Sequence, residues 1–384
     1  MEETDYTLSN GILTIREGVK KIPTDAFKDR SDFEIVIFPN SLRVIGKRAF
    51  CACINLNYVE TNTKLKVIDL GAFQNCFRLV YCDIPKNVYY VGRSAFNCCY
   101  KLESSIVIPQ KIKILEESVF FNCKSIPSIE LPSKLLIIKK LAFFGCSNVA
   151  SFSIPETVIE IGMFAFCHCT KINAMVLPPN VERIRESAFS SCTNLRRIII
   201  PDNVKIIDKS ICMHCERLEE VVLSSQTHKI RSSAFSGCKM LRRINFPDTL
   251  YKIGRYAFSY CLALTEIRIP RNLQKIGEYA FSNCRSLEVV HLPDIEIPWI
   301  YDDYIFNNCE KLIMKKNFIE KKYGELLPEE IKFDADSCPI SGEEFKKDMP
   351  IIILKCGHVF KKESLLEWIK IRNICPYCRK YLGF

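Results

Sequence analysis

The sequence predicts an α/β repeat array of about 13 stacked units of 23 residues, followed by a small α+β domain held by a metal ion. Three observations carry this reading. An Ala-Phe pair returns every 23 residues, a cysteine follows it three residues later, and the cysteine spacing changes character within residues 333–384.

The pair stands at Ala26-Phe27, Ala49-Phe50 and Ala72-Phe73, and continues in step to Ala280-Phe281 and Ile305-Phe306. Val119-Phe120 and Ile211-Cys212 are its substitutes, and the steps to Phe120 and Phe306 take 24 and 25 residues. Each unit reads roughly V-x-x-I-G-x-x-A-F-x-x-C-x-x-L-x-x-I-x-[IL]-P. The segment L-x-x-I-x-[IL] alternates at its end, as a short strand with one buried face does. A proline such as Pro201, Pro247 or Pro270 then stops the strand. Phe and Cys, three residues apart, suit a short helical turn facing inward. One unit cannot bury its apolar face alone, so the units must stack.

Of the 21 cysteines, twelve occupy the ladder position, from Cys53 and Cys76 to Cys284 and Cys309. Free cysteine is a small, readily buried hydrophobe, so the ladder reads as packing. Disulfides between rungs are the alternative, which a reducing compartment would prevent. Cys167-His168-Cys169 and His214-Cys215 resemble ligand clusters, but read better as ladder residues beside surface ones.

This pattern closely resembles the BspA-like, Treponema-type leucine-rich repeats. The resemblance covers about residues 13–318 and implies a right-handed solenoid as the first domain, residues 1–318, with a parallel sheet on one face and short helices or turns on the other. It implies a protein-binding platform and supplies no catalytic residue. Reading the outward strand position from unit to unit places Val176, Ile199 and Val222 on adjacent rungs, about 4.8 Å apart. They are candidate partner-binding residues, since contiguous exposed apolar patches mark interaction sites; ordinary β-propensity is the competing explanation. Arg196-Arg197, Glu219-Glu220 and Arg242-Arg243 alternate in sign and read as a charge ladder that sets rung pairing.

Residues 319–332 read as a linker or capping helix, and residues 333–384 as the second domain. There Cys356-x-His358 and Cys375-x-x-Cys378 have zinc-ligand spacing. So small a domain ordinarily needs such a staple. The tail resembles RING fingers and their U-box relatives. Their eight ligand positions fall, without a gap, on Cys338, Ser341, Cys356, His358, Lys361, Ser364, Cys375 and Cys378. The second site is complete as Cys356, His358, Cys375 and Cys378. The first, Cys338 with Ser341, Lys361 and Ser364, has lost three ligands, so one zinc ion is expected. Hydroxyls and a salt bridge from Lys361 to Glu343 or Glu344 would hold the vacant site.

The same resemblance implies that Ile340, Trp368 and Pro376 grip a ubiquitin-conjugating enzyme. It makes Arg379 the cation that clamps the ubiquitin thioester, with no covalent intermediate on this chain. An E3 ubiquitin ligase is therefore expected, its repeats binding a protein substrate. A SUMO-type ligase with a one-zinc RING is one alternative, and a non-enzymatic scaffold with an inactive zinc module is the other.

Hydrophobic residues make up 48% and charged residues 26% of the chain, which is globular rather than disordered composition. The opening MEETDYTLSNGILTIREG shows no secretory signal, and no apolar run approaches the ~20 residues that cross a bilayer. A soluble, cytoplasmic or otherwise intracellular protein without a membrane partner is expected. The net charge of +10 is interspersed with acids, so nucleic acid is an unlikely partner. No Ser-His-Asp set, phosphate loop or paired-carboxylate site stands out.

Overall fold

The computed structural model describes residues 1–293, 304–312, 318–322, 337–354, 356–372 and 374–379. The array is a β-solenoid of about 12 turns. Its core runs as one apolar cluster from Leu13 to Ile305. Among the described residues no helix is long and apolar enough to cross a membrane.

Each rung contributes two short strands. The expected one, such as Arg197–Ile199 or Glu220–Val222, pairs in parallel with its equivalent on the next rung. A second strand, missed in the sequence, lies in the V-x-x-I segment, as at Val44–Ile45, Val67–Ile68 and Lys252–Ile253. It also pairs in parallel from rung to rung. The backbone therefore runs two sheets along the array, each buried on one side.

Short helices, allowed for on the other face, do not form. The Ala-Phe segment is a series of tight turns, because the backbone enters the left-handed region on either side of it. In one rung these residues are Ser187 at φ 56° and Ser191 at φ 58°, and the next rungs repeat them at Ser210 and His214. A right-handed helix cannot pass through such residues. Their amides bond across rungs instead: Ser187 N–H donates to Lys209 O, Phe189 N–H to Ile211 O and Ser191 N–H to Met213 O, at 2.7–2.9 Å. The inward orientation of Phe and Cys holds, however. Phe rings stack from Phe27 to Phe189, and again from Phe235 to Phe306, with centroids 5.2–6.0 Å apart. The break falls at Cys212, where the ring is missing and the preceding Ala is replaced by Ile211; both are fully buried.

The twelve ladder cysteines do more than pack. Each Sγ lies 3.0–3.4 Å from a backbone carbonyl of the preceding rung, at the Phe position in eleven cases and at Cys212 in the twelfth. All the cysteines are free. Burial pushes up the thiols of ladder residues such as Cys76, Cys169 and Cys192, and that of Cys53 to about 12, which keeps these protonated donors.

The N-terminal end is closed by an antiparallel hairpin, Tyr6–Ser9 with Ile12–Ile15. Its two-residue turn is Asn10-Gly11, both with positive φ, the preference of a type I′ hairpin.

Candidate metal centre

The terminal domain has its own apolar cluster, built on Ile351–Leu354, Val359, Phe360 and Leu365. Phe318–Lys322, Pro350–Leu354 and Val359–Lys361 form an antiparallel sheet, and the helix Lys362–Ile371 follows directly. The segment expected to be a linker or capping helix thus includes residues that join this sheet as an edge strand.

Four ligand-type side chains converge where the sequence placed them. Cys356 and His358 sit in the hairpin between the second and third strands, turned by Gly357 at φ 84°. Cys375 and Cys378 sit beyond the helix, where Cys378 N–H faces Cys375 Sγ at 3.5 Å. His358 Nδ1 lies 3.2 Å from Cys356 Sγ and 3.7 Å from Cys375 Sγ. All four donor atoms lie within 4.8 Å of one another. Tetrahedral zinc with thiolate bonds of about 2.3 Å sets sulfurs just under 4 Å apart, so this cage fits that ion with small adjustment. Burial alone pushes the Cys375 thiol up to about 12; a coordinated cation stabilises the thiolate instead. Tyr377, unnoticed in the sequence, lays its exposed ring 4.7 Å from the His358 ring. Nothing in a C-x-x-C spacing signals that contact.

The other eight-ligand positions meet differently. Cys338 is fully buried and accepts Lys361 N–H at 3.3 Å. Burial opposes its ionisation, but N–H donors from Ser341, Lys361 and Ile340 hold the thiol below its ordinary value. Lys361 Nζ reaches Glu343 Oε2 at 2.8 Å and Glu363 Oε2 at 3.6 Å. Of the two carboxylates expected, Glu343 is the one engaged. Ser341 is exposed, and Ser364 is half-buried in the first turn of the helix. A lysine ammonium offers no lone pair, so this set does not suit a zinc ion.

Ile340, Trp368 and Pro376 are all half-exposed. The Trp368 indole N–H donates to Ile374 O at 2.9 Å, which ties the helix to the chain entering the Cys375 turn. Arg379 is exposed, at φ 56°. In the array, Val176, Ile199 and Val222 are 79%, 44% and 37% exposed, with Ile199 and Val222 paired in register. The first step of the expected charge ladder is present as Arg196–Glu219 at 3.6 Å and Arg197–Glu220 at 2.6 Å, while Arg243 stands in register with Glu220 without an ion pair between them.

Fold and site together define a repeat scaffold with a terminal ring finger. Residues 6–127, 113–242 and 228–321 match the BspA type leucine rich repeat region, and the chain belongs to that family. Residues 336–379 match the ring finger domain, a zinc-binding fold. Among solved structures, a leucine-rich repeat protein from Bacteroides ovatus is similar at TM-score 0.58 and 23% identity, over 81% of this chain and 98% of that one. A leucine rich cell surface protein from Faecalibacterium prausnitzii is similar at TM-score 0.52 and 26% identity, over 77% and 95%. The tail is 36% identical over 64 residues to the E3 ubiquitin-protein ligase AIRP1 of Arabidopsis thaliana, 17% of this chain and 37% of that protein. It is 34% identical over 70 residues to the probable E3 ubiquitin-protein ligase RHB1A of the same plant, 18% and 35%. The chain thus spans about a third of the length of these relatives.

Proposed function

We propose that this chain is an E3 ubiquitin ligase whose terminal domain recruits a charged ubiquitin-conjugating enzyme while the array holds a protein substrate. The observation that carries the reading is the convergence of Cys356, His358, Cys375 and Cys378, with half-exposed Ile340, Trp368 and Pro376 on the flanking loops and helix. The ligase names of the ring-finger relatives support it.

Cys356 and His358 on the hairpin, with Cys375 and Cys378 on the turn carrying Pro376, would hold a zinc ion that cross-links the two segments. Trp368 fixes the helix against the same turn through Ile374 O. Ile340, Trp368 and Pro376 then offer an apolar groove to the conjugating enzyme, where aromatic anchors contribute most. Arg379, a planar donor set open to solvent, holds the ubiquitin tail against its carrier. The chemistry passes from carrier to substrate lysine, and this chain contributes proximity and a restricted thioester geometry. One zinc ion per chain is proposed, with the Lys361–Glu343 ion pair and the N–H bond to Cys338 Sγ standing where a second ion would. Val176, Ile199 and Val222 are proposed as part of the substrate surface.

Autoubiquitination with a panel of conjugating enzymes tests this. Wild type transfers ubiquitin, and Ile340→Ala and Arg379→Ala each lose at least about tenfold, the size of 1.4 kcal/mol. No transfer with any conjugating enzyme refutes the ligase reading, and two zinc ions by metal analysis refute the one-ion assignment. Changing Val176, Ile199 and Val222 together to Ser should abolish substrate capture while the fold survives.

A further inference from the structure

The second sheet carries an exposed apolar column. Val67 pairs in register with Tyr90, and Ile114 with Ile137; the two pairs occupy four successive rungs, divided between separate strand ladders at the 24-residue step. Tyr89 and Leu136 stand beside them. Tyr89, Tyr90, Ile114 and Leu136 are 54%, 39%, 39% and 38% exposed, and Val67 and Ile137 are half-buried. Four rungs at ~4.8 Å span roughly 15 Å. The fold does not require apolar residues in this column. The equivalent position is Glu160, Arg183, Lys229, Lys252 or Lys275 on later rungs of the same array. The apolar stretch is therefore a local choice, and a patch of this kind marks an interaction site.

A cationic rail runs alongside. The preceding strand position holds Lys20, Arg43, Lys66 and Lys113, with Tyr89 between the last two. The backbone stacks the first three and Tyr89 in order: Arg43 N–H donates to Lys20 O at 2.8 Å, Lys66 N–H to Arg43 O at 2.9 Å and Tyr89 N–H to Lys66 O at 3.0 Å. Several in-register charges are answered by the opposite sign one rung away, as in Lys139–Glu116, Arg183–Glu160 and Arg197–Glu220, whereas Lys229, Lys252 and Lys275 stack as like charges. The four rail cations form no ion pair with a carboxylate among the described residues; Arg43 donates only to the carbonyls of Asn40 and Leu42. Like charges stacked in register repel, so anions from outside the chain would stabilise the rail.

We infer that this face docks a segment of a partner protein in which carboxylate side chains stand beside apolar ones. The apolar column takes the apolar side chains, and the rail takes the carboxylates, sets the register and speeds encounter. Beside Tyr89 and Tyr90, the other four residues of the patch, Val67, Ile114, Leu136 and Ile137, are aliphatic and give nucleic-acid bases little to stack on, which favours a polypeptide. The inference rests on the reading of the array as the substrate-capturing part, and assigns it a second face and a partner chemistry.

The test selects peptides from a random displayed library on the full-length chain, then measures their affinity by fluorescence anisotropy with no ubiquitin reagent present. The enriched peptides should carry carboxylates among apolar residues. Their affinity should fall at least about tenfold in Tyr90→Ser/Ile114→Ser. It should fall severalfold in Lys66→Glu/Lys113→Glu, whose exposed positions leave the fold intact, and lysine placed in the peptide should restore it there. Lys229→Ser/Lys252→Ser, on later rungs of the same sheet, should bind as wild type does. Failure to enrich any peptide, undiminished binding in both double variants on this face, loss only in the Lys229→Ser/Lys252→Ser control, or a wild-type self-association that Tyr90→Ser/Ile114→Ser abolishes would each overturn the inference. Binding that behaves as expected in a chain unable to transfer ubiquitin would refute the ligase reading and leave this one standing.

Discussion

Cys169 shows what one rung position is asked to do. It is fully buried, and its S–H reaches Phe143 O at 3.1 Å. That carbonyl lies in a turn and also accepts Cys146 N–H at 3.1 Å, so the thiol engages its second lone pair. The thiol is small enough to pack and still able to donate. Cys169→Ala removes both, and should lower stability by about 1–2 kcal/mol in denaturant unfolding. Cys169→Ser, which keeps a donor at the carbonyl, should cost less. The residue's place was legible from its spacing. Its bond was not, since the acceptor sits 26 residues earlier, and a sequence period does not say which atoms meet. Likewise Lys361 was expected to pair with Glu343 or Glu344, and only the folded loop selects Glu343.

At the scale of the element, the break in the Phe stack is compensated within two residues. Ile211 adds volume where other rungs have Ala, and Cys212 gives it up where they have Phe. Cys212→Phe alone should overpack against Ile211, and Ile211→Ala alone should leave a cavity. The double variant restores the common pair and should recover most of the loss, with a coupling of about 1 kcal/mol or more in a double-mutant cycle. The strand in L-x-x-I-x-[IL] was legible because it alternates. The V-x-x-I strand, as short as Val67–Ile68, is too brief for alternation to show. The helical reading of A-F-x-x-C failed because Phe and Cys share a face in a helix and in a run of turns alike; only the left-handed residues on either side distinguish them.

Across the whole molecule, the described residues hold two separate apolar clusters, one from Leu13 to Ile305 and one around Ile351–Leu354. The first is supported by rung-to-rung contacts repeated many times. The second is small, and a domain of this size ordinarily needs its metal to fold. A zinc chelator should therefore abolish hydrogen-exchange protection in the segments around Ile351–Leu354 and Cys375. Protection in the array, around Phe143 and Phe166, should stay unchanged. Loss in both parts at once would show that the array depends on the tail.

The sequence by itself determined the period, the inward side chains and the four-residue ligand set, because stacking by translation turns a repeated letter into a row in space and a metal turn is a local structure. The tertiary structure decided which outward residues line up, where the N-terminal hairpin closes the stack, and that a second sheet carries Tyr90 and Ile114 beside a row of cations. Those depend on where the chain bends between strands, and the bends are set by left-handed residues and cross-rung bonds whose partners lie a full turn away.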